Sequence, residues 1–291
     1  MADFELLTIK IEQMTIESTN DNTPTTPAIT YSECYAQVFL GDCLELMKDI
    51  PNGSIDMILA DLPYGTTACK WDVIIPFDKL WEQYERIIKP NGAIILTASQ
   101  PFTSALVMSN PKLFKYEWIW EKSKASNFLL AKKQPLKAHE SILVFSKETP
   151  NYYPIMEQGK PFKGEGRSKK GSKWDGVNEV QNATFRNDNA GTRYPRSVKY
   201  FVTAESEKIG ALHPSMKPQL LFEYLVKTYT NEGDLVLDNC AGSGTTAIAC
   251  LNTNRQFIVM EKEQKYYDII LKRVADFNKN FEPQTLFGNE M

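Results

Sequence analysis

Between residues 36 and 277, short runs of apolar and β-branched residues alternate with stretches of helical periodicity, and this alternation constrains the fold more than any other feature. Strands of that length, buried on both faces and separated by amphipathic helices, form a mainly parallel sheet with helices packed on it. The pattern predicts strands at 37–40, 55–60, 93–97, 116–120, 141–145, 235–238 and 257–260. Helices are predicted at 43–50, 77–88, 102–109, 218–229, 245–252 and 264–277, with a Pro90-Asn91-Gly92 turn before the third strand. The closeness of 116–120 to 141–145 predicts an antiparallel edge pair. The fold expected is α/β and Rossmann-like, a mostly parallel seven-stranded sheet with one antiparallel edge strand.

Two strand ends carry chemistry. Asp61, Leu62, Pro63 and Tyr64 follow the apolar run 55–60 directly. They set a carboxylate, a carbonyl aimed by a φ-restricted proline, and an aromatic ring at one place. An aromatic amine is a poor nucleophile because its lone pair is delocalised into the ring. Asp61 accepting one N–H and the Leu62 carbonyl accepting the other would favour a pyramidal nitrogen, while Tyr64 stacks on the base, a contribution of roughly 1–3 kcal/mol. The second strand end is Leu235-Val236-Leu237-Asp238-Asn239-Cys240-Ala241-Gly242-Ser243-Gly244-Thr245-Thr246. Its glycines let the backbone approach a bound group, and Glu261, ending the next strand, is placed to accept from two ribose hydroxyls. The turn lacks the P-loop lysine and the G-x-G-x-x-G spacing, which disfavours a phosphate cradle. Each motif alone is compatible with a plain turn; the pair, at the carboxyl ends of strands where open sheets bind ligands, points to group transfer onto a base.

Composition limits the alternatives. With 291 residues, 42% of them hydrophobic, the chain can bury a substantial core. A net charge of −3 excludes a uniformly basic coat for nucleic acid. Five cysteines (Cys34, Cys43, Cys69, Cys240, Cys250), odd in number and without a C-x-x-C pair, argue against a disulfide framework or a zinc site and for a reducing cytoplasm. No apolar stretch has membrane-spanning length. Residues 1–34 are rich in Thr, Asn, Glu and Ser and are expected to be a flexible arm; 280–291 form a tail. Residues 150–210 change to Gly, Lys, Arg, Asn and Tyr and are expected to be an insertion between the catalytic segments 35–149 and 211–279. From Lys160 to Lys199 ten Lys/Arg face four acids, with Lys163, Arg167, Lys169, Lys170, Lys173, Arg186, Arg193 and Arg196 as candidate contacts to nucleic acid. Lys122, Lys124, Lys132, Lys133 and Lys137 are candidates at the rim, equally readable as solubilising surface.

Catalytic tetrapeptide first and glycine turn second, this order resembles the permuted, β-group amino-methyltransferases of DNA that use S-adenosylmethionine. Asp-Leu-Pro-Tyr resembles their Asp-Pro-Pro-Tyr, and Asp-Asn-Cys-Ala-Gly-Ser-Gly-Thr-Thr their Asp-Pro-Phe-Ala-Gly-Ser-Gly-Thr-Thr. Gly41-Asp42-Cys43-Leu44 resembles the segment whose Asp reaches the cofactor adenine, and His213-Pro214-Ser215-Met216-Lys217-Pro218 the lead-in beside the methionine moiety. The likeness covers residues 36–148 and 212–277, and the basic insertion falls where the family carries target recognition. It implies Asp61, Leu62, Pro63 and Tyr64 as catalytic residues. It implies Asp42, Lys217, Asp238, Asn239, Cys240, Ala241, Gly242, Ser243, Gly244, Thr245 and Glu261 around the cofactor. Leu62 replaces a proline that contributes a carbonyl, so Leu can serve; Asn239 and Cys240 replace Pro and Phe, and losing the Phe removes an aromatic wall near the cofactor. Asp at position 61 resembles adenine-specific members more than the Ser of many N4-cytosine enzymes, and no Pro-Cys dipeptide offers a nucleophile for C5 methylation. The resemblance implies double-stranded DNA as substrate, reached by base flipping. Cytosine N4, RNA or protein glutamine as acceptor, a silent DNA-binding module, a homodimer and a cognate restriction enzyme all stay open.

Overall fold

The computed structural model describes residues 6–16, 29–67, 69, 72–161, 190–207 and 216–281. It divides into two compact units, residues 1–153 with 197–291, and residues 154–196. The first unit is built on a nine-stranded sheet. In chain order its elements are β1 (Leu6–Ile16), β2 (Ile29–Leu40), α1 (Cys43–Leu46), β3 (Ile55–Ala60), α2 (Phe77–Ile87), β4 (Ile88–Ala98), α3 (Phe102–Ser109), β5 (Phe114–Ser126) and β6 (Lys137–Phe145). In the second unit β7 (Glu157–Gln158) and β8 (Thr192–Arg193) pair antiparallel. The first unit resumes with β9 (Val198–Phe201), α4 (Gln219–Tyr229), β10 (Leu235–Asp238), α5 (Thr245–Asn252), β11 (Gln256–Glu261) and α6 (Gln264–Phe281).

The sheet order is β1-β2-β11-β10-β3-β4-β6-β5-β9. From β2 to β4 every pairing is parallel. β6 is antiparallel to both β4 and β5, so β5 points the same way as β4. The antiparallel pair of β5 and β6 is expected at the edge; instead β6 lies inside the sheet, between β4 and β5, and β9 flanks β5. Alternation of side chains across the strands makes two cores. Phe257 and Val259 pack with α4, α5 and α6 on one face, while Ile258 and Met260 pack with α1, α2 and α3 on the other.

Two edge strands depart from the sequence reading of seven. β1 pairs antiparallel with β2 along its whole length, in a segment expected to be a flexible arm. The alternation Ile9-Lys10-Ile11-Glu12 is a period-two signal that the polar composition around it masks. β9 lies within the expected insertion but pairs parallel with β5, so the separate unit is narrower, spanning 154–196. The Pro90-Asn91-Gly92 turn is also absorbed: β4 runs through it, with a register shift against β3. A bulge is where a sheet tolerates Pro and Gly. A Cβ on Gly92 would stand 2.8 Å from the Asp56 carbonyl oxygen, so the bulge needs glycine there.

Candidate active site

β3 and β10 are direct neighbours, and their carboxyl ends open onto one cavity of about 360 Å³. The sheet thus brings Asp61, Leu62, Pro63 and Tyr64 together with Asp238, Asn239, Cys240, Ala241, Gly242, Ser243 and Thr245, and with Asp42, Lys217 and Glu261, as lining of the same space. Gly244 does not line it. It caps α5 in the left-handed region, φ +80°, where a Cβ would also press on Ile270 at 3.0 Å. Among the nucleic-acid candidates, Arg193 donates to the carbonyls of Lys160 and Thr192, at 2.7 and 3.0 Å, and Arg196 is exposed, both in the second unit. Lys163, Arg167, Lys169, Lys170, Lys173 and Arg186 lie outside the described residues, as do His213, Pro214 and Ser215.

Asp61 is the hub. Lys217 Nζ donates to its Oδ2 at 2.6 Å; Tyr64 OH, at 2.9 Å, and Thr97 Oγ1 donate to its Oδ1. A carboxylate has about four acceptor positions, so three occupied leaves one for an incoming N–H. Lys217 is only 6% exposed and also faces Glu140 Oε2 at 3.6 Å, while Lys122 holds the other Glu140 oxygen. Burial works against the Lys217 charge, but Asp61 and Glu140 outweigh it and hold the ammonium above the ordinary lysine value. Burial likewise disfavours the Glu140 carboxylate, and Lys217 and Lys122 overcome it, leaving the group below its ordinary value. The Tyr64 ring stacks on Phe102, centroids 5.0 Å apart, and burial followed by the Asp61 charge pushes its hydroxyl well above the ordinary tyrosine range. After Tyr64 the chain is pinned by Asp72, whose carboxylate accepts from the N–H groups of Gly65, Thr66 and Thr67 at 2.6–2.9 Å.

On the cofactor side, Glu261 Oε2 accepts from Gly242 N–H and Oε1 from Lys262 and Glu263 N–H, each at 2.8 Å. These bonds fix the carboxylate of a residue that lines the cavity, and by the same count leave it one acceptor position. Asp42 caps α1 through Leu44 N–H at 3.0 Å. Asn239, standing where the family pattern has proline, accepts from Tyr84 OH at 2.6 Å and turns its amide toward the sulfurs of Cys43 and Cys240, both at 3.5 Å. Ser243 Oγ is buried without a hydrogen-bond partner among the described residues, a polar atom that a polar ligand would satisfy.

Asp238 is 2% exposed and accepts from Cys240 N–H and Thr246 Oγ1; burial pushes its carboxyl up to about 7. A raised acid favours the folded state while protonated. Its stabilisation is present below the ordinary value of 3.8 and is lost as pH rises toward 7. Asp238→Asn is therefore expected to melt higher than the parent at pH 8, by more than about 5 °C, with the gap closing at pH 4. Thermal denaturation of the ligand-free protein across that range measures it, and a gap independent of pH would contradict it.

Thr97, Glu140, Lys122 and Phe102 were not singled out for this chemistry by the sequence. Thr97 alone had a local signal, since it lies at the carboxyl end of β4, the strand next to β3. The family profile described as DNA methylase matches residues 55–272, which contain both strand-end motifs. The chain belongs to the N6/N4 DNA methylase family. Among relatives of this methylase, the Type II methyltransferase M.BglII of Bacillus subtilis is 27% identical over 269 residues, 84% of this chain and 71% of that protein. The DNA adenine methyltransferase YhdJ of Escherichia coli K12 is 29% identical over 255 residues, 80% of this chain and 81% of that protein. The crystal structure of an M1.HpyAVI–SAM complex has the same fold, with a TM-score of 0.56 at 21% identity, over 81% of this chain and 98% of that one. So does the cytosine-N4-specific PvuII DNA methyltransferase, with a TM-score of 0.58 at 16% identity, over 84% and 92%.

Proposed function

We propose that this chain transfers a methyl group from S-adenosylmethionine to the N6 amino group of adenine in double-stranded DNA. The observation that carries the reading is the single cavity on which Asp61 and the 238–245 turn both open. When bound, S-adenosylmethionine supplies a methyl group on a positively charged sulfur, an electrophile open to direct displacement. The chain's own residues prepare the nucleophile. Asp61 offers its remaining acceptor position to one N–H of the amine and the Leu62 carbonyl takes the second, which localises the nitrogen lone pair. The Lys217 ammonium, hydrogen-bonded to Oδ2, holds the Asp61 side chain in place for that task, and the Tyr64–Phe102 stack gives the flipped base an aromatic wall. Glu261 suits a ribose hydroxyl, and the Ser243 hydroxyl, without a partner among the described residues, suits a polar group of the cofactor's amino-acid moiety, with Asp42 reaching its base.

Asp61 supports adenine over cytosine, as does the relatedness to a DNA adenine methyltransferase. Cytosine N4 is the second reading, because the same carboxylate and carbonyl suit either exocyclic amine. The basic segment 160–199 supports duplex DNA as the acceptor. Tritiated S-adenosylmethionine offered with DNA, RNA and protein is expected to label DNA, and digestion to nucleosides to give N6-methyladenine. N4-methylcytosine as the product would reverse the assignment of the base, and label in RNA or protein would reverse that of the acceptor.

A further inference from the structure

The tip between β5 and β6 exposes a run of large apolar side chains. Phe128 is 75% exposed and Leu129 84%, with Leu130 and Leu136 beside them also exposed. Packing leaves these side chains idle, yet the tip is ordered from within. Asn127 takes the left-handed region at φ 66°, Leu130 N–H donates to the Asn127 carbonyl at 2.9 Å, and Lys133 N–H to that of Leu130 at 2.8 Å. Lys124, Lys132 and Lys133 flank it in the chain, all exposed. A short 3-10 turn, Phe128–Leu130, thus presents two large apolar side chains to solvent with three exposed lysines on the neighbouring backbone.

Topology fixes where this tip points. Because β5 runs in the same direction as β3 and β4, its C-terminal end projects from the same end of the sheet as Asp61 and the glycine turn. The base of the hairpin also touches the site, as Lys122 on β5 and Glu140 on β6 pair with each other and Glu140 faces Lys217. From there to the last ladder pair, Ser126 with Lys137, is three or four residues, or about 10–13 Å at 3.3 Å per residue. That is the scale of a DNA groove, about 8.5 Å deep.

We propose that this tip, Phe128 and Leu129 foremost, is a wedge that enters the base stack of duplex DNA beside the target base and holds open the gap its extrusion leaves. The flanking lysines select this occupant: they seat on phosphates, while an apolar side chain inserted between base steps replaces the lost stacking. The inference rests on the proposed activity, and its test separates the two.

Methylation-sensitive sequencing of DNA from cells expressing the chain supplies the recognition sequence. Short duplexes carrying it are then compared in two forms, one fully paired and one with an abasic site opposite the target base, where extrusion costs little. Phe128→Ala combined with Leu129→Ala is expected to slow transfer on the paired duplex by about 10- to 100-fold. On the abasic duplex the rate is expected to return to within about threefold of the parent. 2-Aminopurine at the target position is expected to brighten with the parent and stay dim with the variant. Equal loss on both duplexes, no loss on either, or an unchanged 2-aminopurine signal overturns the wedge. So does a parent dimer, seen by sedimentation, that the substitutions dissociate, since the tip would then serve a second copy of the chain. A parent protein that methylates neither duplex nor cellular DNA overturns the enzymatic reading itself.

Discussion

Asp61→Asn is expected to slow methyl transfer by at least about 1,000-fold while leaving S-adenosylmethionine affinity within about threefold. The amide keeps the size of the carboxylate and one acceptor oxygen. It loses the charge, and its nitrogen cannot accept from either the amine or Lys217. Thr97, Tyr64 and Lys217 converge on Asp61, so one of them loses its partner as well. The residues proposed to hold the cofactor lie at the other strand end, built on β10 and β11, and keep their own hydrogen bonds. Single-turnover transfer on methylatable DNA together with calorimetric cofactor titration separates the two effects. A variant within tenfold of the parent rate would remove Asp61 from the chemistry, and a matching loss of cofactor affinity would make it a structural residue.

Lys217→Met is expected to cost both stability and rate. The ammonium sits between two carboxylates, 2.6 Å from Asp61 and 3.6 Å from Glu140, and is almost fully buried. Removing one member of such a group leaves unbalanced charge in the interior, a loss of roughly 3–5 kcal/mol. The signs follow from the shifts. Lys217, held above its ordinary value, stabilises the fold wherever it is charged and loses that contribution only as pH rises beyond about 10.5. Glu140, held below its ordinary value, contributes above about 4.5 and loses it as pH falls lower. Without the lysine, Asp61 loses the donor on its Oδ2 and the two carboxylates lose the charge between them. Transfer at pH 7 should fall by about 100-fold. Lys217→Arg, which keeps the charge, should recover most of that rate. A Lys217→Met protein that is less stable yet, where folded, transfers within about threefold of the parent rate would leave Lys217 with a structural role alone.

This coupling changes how Lys217 is understood. Its place in His213-Pro214-Ser215-Met216-Lys217-Pro218 implied a neighbour of the cofactor's methionine moiety, and it does line that cavity. Its nitrogen, however, is bonded to Asp61, which is 156 residues away in the chain. Glu140, which with His139 resembles a family segment preceding a strand, carried no chemistry that the sequence could assign. It acquires a role only because β6 is inserted between β4 and β5, turning its side chain toward Lys217.

What could be read from the chain alone was local and periodic. The parallel core, the helices and both strand-end motifs follow from short-range rules: apolar runs with period two or continuous burial, helical spacing between them, and small residues where backbone must turn. Even β1 obeyed such a rule, through Ile9 and Ile11, although the polar residues around it hid the signal. Strand order, by contrast, is decided by pairings that join distant segments, because a ladder hydrogen bond is indifferent to the sequence separation of its partners. That is why tertiary structure alone made β3 and β10 neighbours, put the antiparallel β6 inside the sheet, returned Val198–Phe201 to its edge, and closed the chain of charges from Lys122 through Glu140 and Lys217 to Asp61.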